Sequence, residues 1–124
     1  MGLVCLVVAG ALRASLPGSE FTLAWEHSVQ KTRWEERYRV DAGALMLEEA
    51  KVAGTGAGME PPETATLRDG VWTWQPRSRI PELRLAYSGY ARDYTLCWSG
   101  GCRALSALAG PAEDGAVVVV RACG

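Results

Sequence analysis

Histidine is almost absent from this chain: His27 is the only one among 124 residues. A single imidazole leaves no histidine-rich metal site and no second base to activate a serine or cysteine nucleophile. Ser28 is next to His27 but points to the opposite side of an extended strand, and Cys123 has no histidine near it in sequence. Hydrolase chemistry therefore has no visible constellation, and the chain is not expected to be an enzyme; catalysis with His27 as base is kept only as a third reading. Charge of one sign is lacking too. The formal net charge is -1, with a pI near 5.8, so no basic face is implied and nucleic acid is not an expected partner. Lysine is scarce (Lys31 and Lys51 only), an arginine bias of composition to which no function attaches. Internal repeats, low-complexity tracts and any convincing helix are missing, and no apolar run reaches the roughly twenty residues that a membrane-spanning helix needs.

What the chain does have is aromatic and alternating. Five tryptophans at this length point to a β-core. In FTLAWEHSV the positions Phe21, Leu23, Trp25, His27 and Val29 share one side of a strand. In RWEERYRVD, Trp34, Glu36, Tyr38 and Val40 share one side, and Arg33, Glu35, Arg37, Arg39 and Asp41 share the other, where a solvated mixed-charge face is expected. A register with Trp25 opposite Tyr38 and Leu23 opposite Val40 sets His27 opposite Glu36.

The amino terminus carries two readings. Gly2 to Leu12 is almost wholly apolar, followed by Arg13 and the turn formers Pro17, Gly18 and Ser19. Residues 1–20 are expected to be an export signal or degenerate membrane anchor, with Ala9-Gly10-Ala11 as the cleavage site; the alternative is a buried first strand. Residues 21–124 then form a single all-β domain. Cys97 and Cys102 flank a Ser99-Gly100 turn that sets them directly opposite each other, which suits a cross-strand disulfide. As half of a metal site they lack a matching second pair. Cys5 and Cys123 can pair only if the termini meet and Cys5 is retained. Cysteine usage favours an oxidising compartment.

Along the rest of the chain, Ala44 to Val52 reads as a strand, Gly54 to Pro62 as a loop, and Asp69-Gly70 as a tight hairpin turn between Ala65–Arg68 and Val71–Trp74. Pro76 to Pro81 is a connection before the strand Leu83 to Tyr87. Tyr94–Cys97 and Cys102–Leu108 form the disulfide hairpin, and Ala116 to Ala122 closes the chain. The expected fold is all-β, an antiparallel sandwich or partly closed barrel of about eight strands.

Trp25-Glu26-His27-Ser28-Val29, then Trp34-Glu35-Glu36-Arg37-Tyr38-Arg39-Val40, Gly56-Ala57-Gly58-Met59 and Asp69-Gly70-Val71-Trp72 together resemble a bacterial family catalogued as domain of unknown function 1850. The resemblance covers most of the region from Phe21 to Val120. It implies a small exported protein, encoded beside tripartite, solute-receptor-dependent transporters of the TRAP kind, with an accessory role and no established catalytic mechanism. The Cys97–Cys102 hairpin and the weak signal segment depart from what the family leads one to expect.

The candidate ligand-binding residues are His27 and Glu36, with Gly56, Gly58 and Met59 as a rim. A carboxylate facing an imidazole fixes its tautomer and raises its basicity, which suits a ligand contact or proton switch; the competing reading is a hydrogen-bonded polar pair inside a sheet. A metal site would need distant acids such as Glu35 or Asp93, and no metal or cofactor is expected. Gly54 to Gly58 either cradles an anion or simply connects strands, since it lacks the lysine and following helix of a phosphate loop. Trp72, Trp74, Tyr90, Tyr94 and Trp98 either line a groove or fill core. The expected function is a periplasmic or otherwise extracytoplasmic accessory protein acting by binding, with peripheral or anchored membrane association. Its partner would be a solute-transporter component, that transporter's solute receptor or a small molecule. The alternative is a small-ligand or metal-sensing β-domain using His27 and Glu36. An exposed apolar patch favours the first, and a pocket at His27 the second.

Overall fold

Alternation and tight turns organise the described residues into twelve strands and one short helix. In the computed structural model, which describes residues 2–26, 32–53, 61–86, 93–110 and 115–123, these are β1 (Leu3–Val8), β2 (Ala11–Pro17), β3 (Glu20–Glu26), β4 (Arg33–Asp41), β5 (Ala44–Ala53), β6 (Thr66–Arg68), β7 (Val71–Trp74), β8 (Ser78–Ile80), β9 (Leu83–Ala86), β10 (Thr95–Trp98), β11 (Gly101–Ala104), α1 (Leu105–Ala109) and β12 (Val117–Cys123). Three hairpins, β1–β2, β4–β5 and β6–β7, turn through Ala9-Gly10, Ala42-Gly43 and Asp69-Gly70, with both central residues at positive φ. That backbone follows the right-handed twist of paired strands, so the hairpins close without splaying.

All the pairings are antiparallel. One sheet has the order β2-β1-β12-β9; the other has β11-β10-β3-β4-β5-β7-β6, with β8 also paired to β5. The sheets do not close into a barrel, and the fold is an antiparallel β-sandwich. Val4, Leu6 and Val8 of β1 and Val118 and Val120 of β12 meet Phe21, Leu23, Tyr38, Leu45 and Leu96 of the larger sheet, all buried. A β-bulge lets β5 contribute along its whole length. Arg37 pairs with Glu49 and Tyr38 with Leu47, so Glu48 is the extra residue. Its insertion turns Ala50 and Val52 to the same side as Leu45 and Leu47, although their numbers differ in parity.

Several expectations are corrected here. The strand count exceeds eight, partly because Pro76 to Pro81, expected as a plain connection, contains β8 paired with Leu45–Leu47. The strand expected to continue through Leu108 stops at Ala104, and the chain winds into α1, burying Leu105 and Ala109. Five residues are too few to display a helical period in sequence. In the structure Leu3–Val8 of the apolar stretch Gly2–Leu12 forms β1, with Val4, Cys5, Leu6 and Val8 buried, and Ala9-Gly10 is the hairpin turn that follows it.

Candidate functional site

The first long hairpin has the faces that alternation dictates but a different register. Trp25 pairs with Trp34, Leu23 with Glu36 and Phe21 with Tyr38, where Trp25–Tyr38 and Leu23–Val40 were expected. Glu36 therefore lies across from Leu23, and the expected His27–Glu36 pairing is not the register of this hairpin. A slip by an even number of residues leaves every side chain on its own face, so hydrophobic alternation cannot choose between the two. His27 itself, with Gly56, Gly58, Met59 and Tyr90, lies outside the described residues.

The inner face of the larger sheet is laid out in rows. One runs Trp25–Trp34–Val52–Trp72–Leu67 across β3, β4, β5, β7 and β6. The next runs Leu96–Leu23–Glu36–Ala50–Trp74 across β10, β3, β4, β5 and β7. Glu36 is thus the one ionisable side chain in two rows of apolar and aromatic residues. The Trp25 ring stacks on Trp34, with centroids 5.9 Å apart and planes 6° apart, and Tyr94 tilts against Trp25 at 5.8 Å. Trp25 and Tyr94 are half-buried against the main core. Trp72 and Trp74 are half-buried on their strand, and Leu67 at the sheet edge is 54% exposed.

Among the described residues one hydrogen bond holds the carboxylate. The Tyr38 hydroxyl donates to Glu36 Oε1 at 2.7 Å. The two residues are two apart on one strand, so their side chains share a face. Burial pushes the Glu36 carboxyl above its ordinary value, and the Tyr38 hydrogen bond pulls it partly back. The phenol of Tyr38 is pushed far up, by burial first and then by the neighbouring Glu36 charge, and Tyr94 rises for the same two reasons. Among the described residues no ion pair reaches Glu36. The site can therefore offer a hydrogen-bond acceptor, or a negative charge, beside flat aromatic surface.

Other sequence candidates fall elsewhere. Glu35 lies on the outer face and pairs with Arg33 at 3.2 Å. Asp93 is bound to Ser106, whose amide donates to both carboxylate oxygens at 3.3 Å and whose hydroxyl also bonds to it, so it secures the start of α1. Neither acid joins Glu36, and among the described residues no group of three potential ligands could hold a metal. Trp98 stands apart from the other tryptophans, in an open cavity of about 500 Å³ with Phe21, Arg37, Cys97 and Ser99. Tyr38 as the anchor of Glu36, and Trp25 stacked on Trp34, were not singled out from the sequence. The two-residue spacing of Glu36 and Tyr38 was the available signal for the first; the second needed the true register.

All four cysteines are bonded, Cys5 to Cys123 and Cys97 to Cys102, the latter pair directly opposite each other across the β10–β11 hairpin. Two disulfides in so small a chain point to an oxidising, extracytoplasmic environment. Among the described residues no helix is long and apolar enough to cross a membrane. The sequence profile of a domain of unknown function, DUF1850, matches residues 21–105. These span the larger sheet from Phe21 onward, with Glu36 and the aromatic rows. No curated protein and no solved structure matches the chain.

Proposed function

We propose, starting from the fact that the chain belongs to the DUF1850 family, that it is an extracytoplasmic binding protein whose ligand seat is Glu36 and the tryptophan rows beside it. It acts in the periplasm as an accessory to a tripartite solute transporter, the setting that its family resemblance implies. The observation that carries this reading is the partly buried carboxylate on an inner sheet face, held through one oxygen by Tyr38. Taking a carboxylate out of water is costly unless something pairs with it. A ligand presenting a donor or cationic group on a flat apolar body would meet Glu36 and the Trp25–Trp34 stack together. The ends of β3 and β5, Glu26 and Ala53, flank Arg33 at the same end of the sheet. The segments holding His27 and Gly56–Met59 follow directly on those ends, which keeps these residues in the proposal as further contacts.

Native mass spectrometry of protein purified from an exporting bacterial host tests the reading. The parent chain is expected to carry extra mass that is lost on unfolding, and Glu36→Gln to lack it while keeping a native near-ultraviolet dichroism spectrum. Extra mass retained in Glu36→Gln moves the seat elsewhere. A bare parent chain rejects the ligand seat in favour of protein–protein contact alone.

A further inference from the structure

The two central strands of the smaller sheet are apolar on both sides. β1 reads LVCLVV, and β12 opens with four consecutive valines, Val117 to Val120. A strand with one face in the core and the other in water alternates; an unbroken apolar run is the pattern of a strand covered on both faces. Among the described residues the sandwich covers one face only. Val4, Leu6, Val8, Val118 and Val120 are buried, whereas Leu3, Val7, Val117 and Val119 are on the outward side. The register extends this side across the sheet, aligning Leu12–Val7–Val119 on β2, β1 and β12, then Ser15–Cys5–Arg121, then Pro17–Leu3–Cys123. Among the described residues, three of the four exposed large hydrophobics are here: Leu12 at 60%, Leu3 at 38% and Val117 at 36%.

The charges carried by the strands themselves have one sign. Arg84 lies across from Val119 and Arg121 across from Cys5. No aspartate or glutamate occupies an outward position of β2, β1, β12 or β9. The nearest acid by sequence is Glu82, just before β9, which pairs with Arg84 at 2.9 Å. That leaves Arg121 as the cation of these strands with no ion pair among the described residues. A second copy placed on the face would set Arg121 against the same four strands, none of which carries a carboxylate. Anionic headgroups supply what is missing. Guanidinium groups bind phosphate, while short aliphatic side chains enter the interface from a flat sheet to a shallow depth.

We propose that the outward face of the β2-β1-β12-β9 sheet docks on an anionic lipid surface, through Leu3, Leu12, Val117 and Val119 with Arg84 and Arg121. Cosedimentation of the full chain with vesicles tests this. Equimolar phosphatidylglycerol and phosphatidylethanolamine vesicles are expected to retain it at low salt, and phosphatidylcholine vesicles to retain it about tenfold less. Arg121→Glu and Leu12→Gln should each lower partitioning about tenfold, while Leu67→Gln, at the edge of the other sheet, should leave it unchanged. Dichroism spectra confirm that each variant is folded. Failure to bind, equal binding to both vesicle types, or a loss in Leu67→Gln matching that in Leu12→Gln overturns the proposal. So does a dimer in sedimentation equilibrium that Leu12→Gln dissociates, since a second copy would then cover the face.

Discussion

Glu36 occupies a position that its cross-strand neighbours, Leu23 and Ala50, mark as apolar. Its consequences are those of a carboxyl group that the fold prefers protonated. Burial raises its proton affinity above the ordinary value of 4.5, so the folded chain holds this proton more tightly than the unfolded chain. The contribution is fully favourable below the ordinary value and is lost as the pH rises through the higher folded value. Glu36→Gln keeps the shape, still accepts from Tyr38 and does not titrate. It is therefore expected to match the parent in thermal unfolding at about pH 4 and to exceed it at about pH 7; a gain equal at both pH values would show that burial does not govern this group. Tyr38→Phe probes the other partner. Losing the 2.7 Å bond should cost about 1–2 kcal/mol. It should also move the Glu36 titration further up, because that bond is what holds it down. Carbon-detected NMR titration of the carboxyl reads this shift, and a downward movement would contradict the assigned roles.

At the scale of elements, what sequence made legible is what local chemistry specifies. Asp69-Gly70 and Ser99-Gly100 mark their hairpins because turn geometry is a property of adjacent residues, and Cys97 and Cys102 consequently meet as expected. The faces of β3 and β4 follow from alternation, which places Glu36 among apolar side chains. Their register depends on the segment between Glu26 and Thr32 and on packing against the second sheet, so the His27–Glu36 pairing was beyond what alternation decides. The bulge at Glu48 and the single-turn helix α1 are equally tertiary in origin. The disulfides separate local from global constraint. Cys97–Cys102 closes a separation of 5 residues already held by a hairpin, and Cys5–Cys123 closes 118. On chain entropy, replacing both cysteines of the first pair by alanine should cost about 2 kcal/mol and of the second about 5 kcal/mol. Urea unfolding of the two double variants measures both; equal losses would mean that the long bridge does not act by restricting the unfolded chain.

For the molecule as a whole, the unresolved choice in the sequence was between an export signal and a first strand, and both require the same side chains. An eleven-residue apolar run from Gly2 to Leu12 is what a signal needs and also what a strand apolar on both sides looks like. The structure gives residues 3–17 a large share of the smaller sheet: β1 lies between β2 and β12, and Cys5 is bonded to Cys123. A chain beginning at Phe21 would lose the buried side chains of Val4, Leu6, Val8 and Leu16. At about 1.5–3 kcal/mol each this is about 6–12 kcal/mol, comparable with the whole stability of a small domain, about 5–15 kcal/mol. The shortened chain is therefore expected to show no cooperative unfolding transition and to expose a reactive Cys123 thiol. Calorimetry and thiol titration read the two effects independently. A cooperative transition at the parent's temperature would mean that the larger sheet stands alone and that the first twenty residues are free to serve as a removable signal. Loss of the transition would make them part of the folded domain, and any removable export signal would then have to be a different segment.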